Sequence, residues 1–127
     1  MTGPAVAPLT KRLSQAQVNE YADASDDHNP IHIDEVFAAA SPFGGTIAHG
    51  MLVLATISEM MAASLGEAWL TGGRLKVRFK APAKTTDVLT ASATALASPD
   101  GMRYAVECRN QDGEVLVNGT AQVAAGG

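Results

Sequence analysis

TIAHGMLVLATISEMMAASL, residues 46–65, is the stretch on which the fold turns. Met51, Leu52, Val53, Leu54, Ala55, Ile57, Met60, Met61 and Leu65 cover nearly every side of a helix drawn over it, and Gly66 supplies a stop. A helix that is apolar all round is surrounded by protein rather than lying on a surface. Thr56, Ser58, Glu59 and Ser64 interrupt the run, which is too short and too polar to span a bilayer. Something in the same chain must therefore wrap it.

The wrapping is legible downstream. After Gly72-Gly73 the apolar period changes from 3.6 to 2. In RLKVRFK, residues 74–80, Leu75, Val77 and Phe79 face one way while Arg74, Lys76, Arg78 and Lys80 face the other. Further strands are predicted over 88–97, 102–109 and 115–123, joined by the turn signals Pro99-Asp-Gly101 and Gln111-Asp-Gly113. The expectation is a single α+β domain over residues 9–124, a four-strand antiparallel meander curved around the long helix. Residues 1–8 are expected as a flexible tail and 125–127 as a frayed end. Open sheet edges and an apolar helix also suggest that a second copy completes the core, so a homodimer is expected.

Upstream of the helix, Ser14 fits the cap of a short helix over 15–23, with Val18, Tyr21 and Ala22 on one face. Asn29-Pro30 marks a turn, and Asp34 can cap a second short helix over 35–40.

Composition narrows the classes. The chain has 127 residues, 46% hydrophobic and 17% charged, enough for one core and too apolar for disorder. A net charge of −4 argues against a nucleic-acid binder. Cys108 is the only cysteine, so neither a disulfide framework nor a CxxC metal site can form, and the residue reads as a small buried apolar group. The N-terminus lacks the pattern of a secretion signal, which makes a cytoplasmic location the expectation.

The polar stretch DDHNPIH, residues 26–32, carries the chemistry. Asp27 and His32 flank a proline turn and could converge on one water as an acid–base pair. Taken alone, the stretch reads first as a solvated helix-to-helix turn. Ala48-His49-Gly50-Met51 shifts that reading, because it opens the long helix where backbone amides are unpaired and the dipole is positive. Gly50 would let a carbonyl approach those amides, although a glycine at a crowded helix start is also common.

Together, Asp27-His28-Asn29-Pro30-Ile31-His32 and Gly45-Thr46-Ile47-Ala48-His49-Gly50-Met51 resemble the MaoC-like dehydratases, among them the (R)-specific enoyl-CoA hydratases. The resemblance concentrates in residues 21–58. It implies a hot-dog fold, with Asp27 and His32 as a catalytic dyad that holds one water and the Gly50 amide as receiver of a thioester carbonyl. It further implies that Ser58 lines the site and helps to hold the dyad, and that Asn29 supports it. His49 belongs to the motif, with the duty of shaping the helix entrance rather than moving a proton. No metal or redox cofactor is implied, since coenzyme A or an acyl carrier protein is part of the substrate.

Other residues keep two readings. Arg74, Lys76, Arg78 and Lys80, with Lys84 beyond them, are candidate contacts for coenzyme A phosphates or an acidic carrier, or an ordinary solvated strand face. Met51, Met60 and Met61 read as core, or as the border of an acyl tunnel. Two further functional classes compete with the hydratase: a hot-dog thioesterase relying on Glu59, and a non-catalytic subunit of a heterodimeric dehydratase. A single short domain favours short or medium acyl chains.

Overall fold

The computed structural model describes residues 2–99 and 101–124. Local rules set the first helices. The Ser14 side chain accepts the Gln17 amide at 3.1 Å and opens α1 (Gln15–Ser25), whose Val18 and Ala22 are buried. Asp26 ends α1 in the left-handed region, φ 57°, a conformation that aspartate tolerates better than most residues. Asn29 then caps α2 (Pro30–Ile33), with proline in the first turn, and Asp34 caps α3 (Glu35–Ala39).

The long helix is α4 (Gly50–Leu65), shorter at its start than expected. Thr46 to His49 are extended instead, because Ile47 forms a β-bridge with Lys84 and the Ala48 amide donates to Ala83 at 2.8 Å. Gly66, at φ 60°, stops the helix as read, and α5 (Glu67–Gly72) follows where no helix was expected.

Five strands make one antiparallel sheet: β1 (Leu9–Arg12), β2 (Gly73–Phe79), β3 (Val88–Leu96), β4 (Arg103–Arg109) and β5 (Val115–Val123). Their order is β1-β3-β4-β5-β2, so the expected meander is corrected in its first step. β2 pairs with β5 rather than with β3. The connection from Lys80 to Asp87 contains Pro82 and spends its backbone groups on the α4 entrance, so it cannot close a hairpin. β1 escaped notice because it is only four residues long.

Leu52, Val53, Thr56, Ile57, Met60 and Met61 of α4 are buried against inward residues of the sheet, including Leu89, Ala91, Tyr104, Val106, Cys108, Val117 and Ala121. The opposite helix face is open in the single chain: Met51 is 58% exposed, and Ala55, Glu59 and Ala63 are exposed too. The helix is thus covered on one side only, which revises the reading of an all-round burial. Met60 and Met61 are core residues; Met51 is not. At Gly119 a side chain is excluded, since a Cβ would lie 2.0 Å from the Lys76 carbonyl on the paired strand.

Residues 2–8, expected as a loose tail, contact the domain. Val6 is buried, the Tyr104 hydroxyl donates to the Pro4 carbonyl at 2.8 Å, and the Ala7 amide donates to Ser64 Oγ at 3.2 Å. The expected fraying of residues 125–127 lies outside the described residues, as does Asp100 of the Pro99 turn. Among the described residues, no helix is long and apolar enough to cross a membrane.

Candidate active site

The turn between α1 and α2 is locked from its ends. The Asp27 amide returns to the Ala22 carbonyl at 3.1 Å, and the Asn29 amide donates to Asp27 Oδ1 at 3.3 Å. Asn29 Oδ1 in turn accepts the Ile31 amide at 3.1 Å. Asn29 therefore holds both the Asp27 carboxylate and the start of α2, a support role written in its own hydrogen bonds.

His32 follows one turn later and is fixed by its ring. Its Nδ1 lies 2.8 Å from the Ile47 carbonyl, which can only accept, so Nδ1 carries a proton and Nε2 is the nitrogen left for the site. That Nε2 stands 3.9 Å from Asp27 Oδ2. The gap is too long for a direct hydrogen bond and short enough for one water to touch both groups. The His32 side chain is 12% exposed and that of Asp27 54%.

His49 completes the cluster from the helix side. It is buried, its ring stacks on His32 with centroids 3.8 Å apart and planes at 24°, and the Tyr21 ring packs against it, tilted, at 4.8 Å. Its Nε2 donates to the Asp27 backbone carbonyl at 2.9 Å. Asp27, His32 and His49 place donor atoms within 4.8 Å of one another.

A cavity of about 360 Å³ opens beside this cluster, lined by His32, Gly50, Phe43, Val53, Phe79 and Val117 among others. Asp27 is not part of its wall and meets it only through His32. Gly50 begins α4; the Leu52 and Val53 amides both turn back to the His49 carbonyl, so the Gly50 amide stands ahead of the helix's own bonding pattern. The Phe79 ring covers Gly50 closely: a Cβ there would meet it at 3.1 Å. An amide at the positive end of a helix, in an apolar recess that His32 also lines, suits a carbonyl that gains negative charge.

The model of the MaoC-like domain matches residues 3–115 of this sequence. The chain belongs to the MaoC-like family. It is 32% identical over 117 residues to a 3-hydroxybutyryl-CoA dehydratase of Methylorubrum extorquens, covering 91% of this chain and 74% of that protein. An (R)-specific enoyl-CoA hydratase of Aeromonas caviae is 33% identical over 121 residues, covering 92% and 90% of the two chains. In three dimensions the fold resembles an unliganded R-hydratase of Pseudomonas aeruginosa with a TM-score of 0.80, at 31% identity over 97% of this chain and 80% of that one. The expected hot-dog architecture is thereby established.

Not every expected residue of the MaoC-like site comes together. Ser58 Oγ accepts the Trp69 indole at 3.0 Å, toward α5, and among the described residues it makes no hydrogen bond to Asp27 or His32. Eight positions beyond Gly50 lie about 12 Å along a helix axis, which carries Ser58 away from the helix start. Arg74, Lys76 and Arg78 stand exposed on the outer face of β2, and of the four basic residues proposed for phosphate only Lys80 lines the cavity. Glu59, the carboxylate a thioesterase would need, is paired with Lys11 of β1 at 3.1 Å on the exposed side of α4. Its position disfavours that competing class.

Three supporting residues escaped the sequence reading. Gln15 donates from its amide to the His32 carbonyl at 2.8 Å and accepts from Thr46 Oγ1 at 2.7 Å; Thr46 in turn accepts from Thr85 at 2.9 Å. This chain ties α1, the extended entrance of α4 and the β2–β3 connection to the backbone of His32. No local pattern distinguishes Gln15 from any other polar residue in the first turn of a helix.

Proposed function

We propose that this MaoC-like protein catalyses the reversible hydration of a trans-2-enoyl thioester to its (R)-3-hydroxyacyl thioester. The observation that carries the reading is the placement of His32, which lines the cavity with Nδ1 spent on the Ile47 carbonyl and Nε2 3.9 Å from the Asp27 carboxylate. A water held between Asp27 and His32 attacks C3. Asp27 takes its proton, with His32 as partner, while the electron pair of the double bond moves through C2 onto the thioester oxygen. The Gly50 amide and the α4 dipole stabilise that oxygen. Collapse of the enolate takes a proton from the dyad to C2 on the same face, and dehydration runs the same steps backwards.

No metal or redox group is assigned a step, and coenzyme A or an acyl carrier protein enters as part of the substrate. Lys80 at the cavity mouth, with Arg78, Lys76 and Arg74 behind it on β2, is the candidate contact for the phosphates. The cavity's size supports a short or medium acyl chain. A homodimer is proposed because β2 is an open sheet edge and Met51, Leu70 and Phe79 are exposed at 58%, 74% and 53%.

The test is to incubate the protein with a short trans-2-enoyl-CoA while following the conjugated double bond and free thiol together. Loss of the double bond without thiol release is the expected result. Thiol release would make the protein a thioesterase, and no change in either signal would leave it a non-catalytic subunit.

A further inference from the structure

We infer that His49 is a positioning residue that fixes both members of the dyad from one buried ring, resting on the hydratase reading above. The two contacts are independent. Nε2–H holds the Asp27 backbone carbonyl at 2.9 Å, and the face of the same imidazole stacks on His32 at 3.8 Å. Asn29 links Asp27 to the start of α2 along the chain, but the Asp27 backbone and the His32 ring are held by different elements, the end of α1 and the entrance of α4. His49 spans them.

The direction of the first contact follows from its partner. The Asp27 carbonyl only accepts, so Nε2 keeps the proton. Nδ1 is fully buried and without a hydrogen-bond partner among the described residues, so the bond from Nε2 is the polar contact that holds the ring. The groups facing the ring are Tyr21 from α1, Asp27 from the turn and His32 from α2, and only Asp27 carries a carboxylate. Asp27 offers His49 its backbone carbonyl, not that carboxylate.

The two contacts can be separated by substitution. His49→Phe keeps a ring against His32 and removes the donor; His49→Gln keeps an amide donor at the reach of Nε2 and removes the ring. Each is expected to lower kcat about 10- to 100-fold with KM within about twofold, as misplacement of reacting groups does. His49→Ala is expected to fall below both. Melting temperatures identify variants that fail to fold, in which case the remaining ones carry the test. Histidine ¹⁵N spectra supply a readout that needs no turnover: without the stacking ring in His49→Gln and His49→Ala, the His32 ring is expected to leave the Ile47 carbonyl part of the time, so its Nδ1–H signal weakens, while His49→Phe keeps it and His28 is unchanged in all three. Folded variants with wild-type kcat and an unchanged His32 spectrum would overturn the inference and leave His49 as packing. A wild-type protein that hydrates nothing would instead fail the hydratase reading. The spectra would then still decide whether His49 holds His32.

Discussion

His28 and His32 belong to the same turn, and His28 has the tighter carboxylate contact: 2.9 Å to Asp23, against 3.9 Å between His32 and Asp27. His28 also lies 3.5 Å from Asp26. Yet its side chain is 46% exposed and those of Asp23 and Asp26 are 82% and 97% exposed, so solvent competes for every one of these contacts. His32 is 12% exposed, and the Ile47 carbonyl holds its Nδ1. The looser pair has the better-defined chemistry, because one nitrogen is committed to backbone and the other is left for the site. Proximity of opposite charges does not by itself distinguish a site from a solvated turn; commitment of the remaining hydrogen-bonding groups does.

The largest effects should come from the ordered pair. Asp27→Asn and His32→Ala are each expected to lower kcat ~10²–10⁴-fold, with an unchanged far-ultraviolet spectrum, in the double-bond assay. Next come the residues that commit the backbone around His32. Gln15→Ala, which releases the His32 carbonyl and Thr46, should cost about tenfold in kcat while its Tm falls only slightly. Reversing charge at Lys76 and Arg78 should raise KM several-fold, by about the margin that 0.5 M salt removes, if the outer face of β2 meets phosphate. His28→Ala and Asp23→Asn should leave turnover within about twofold; a large loss in either would break the comparison, since an exposed pair would then be catalytic.

Burial also sets a pH dependence away from the site. Burial, with Glu107 adding, pushes the Cys108 thiol up to about 11, and burial raises the Tyr104 hydroxyl as well. Above pH 9 the unfolded chain releases these protons before the folded one does, so stability should fall between pH 9 and about 11. Denaturant melts at those two pH values check this, and Cys108→Ala should flatten the slope.

Much of this was legible in the chain because the signals were local. The alternation of Leu75, Val77 and Phe79, the caps at Ser14 and Asp34, and the Gly66 stop each depend on a few neighbouring residues. Asp27, His32 and Gly50 were found through a motif, and the cluster and cavity bring His32 and Gly50 to one recess. What stayed hidden depended on long-range pairing. Nothing in Arg74–Lys80 says that its partner is β5, forty residues on, rather than the next strand. The same holds for Gln15, whose bonds to His32 and Thr46 exist only once α1 has packed. Ser58 illustrates the converse, a matching position whose side chain is satisfied by Trp69, from a helix that was not foreseen.

The central claim is that one water serves Asp27 and His32 together on one face of the substrate. It is tested most directly by hydrating a short trans-2-enoyl-CoA in deuterium oxide and reading the product by proton NMR after chiral analysis. A dyad that adds water and returns its proton from the same side predicts a single (R)-3-hydroxyacyl product, with deuterium at one C2 position, syn to the new hydroxyl. An (S) product, or deuterium spread over both C2 positions, would contradict it.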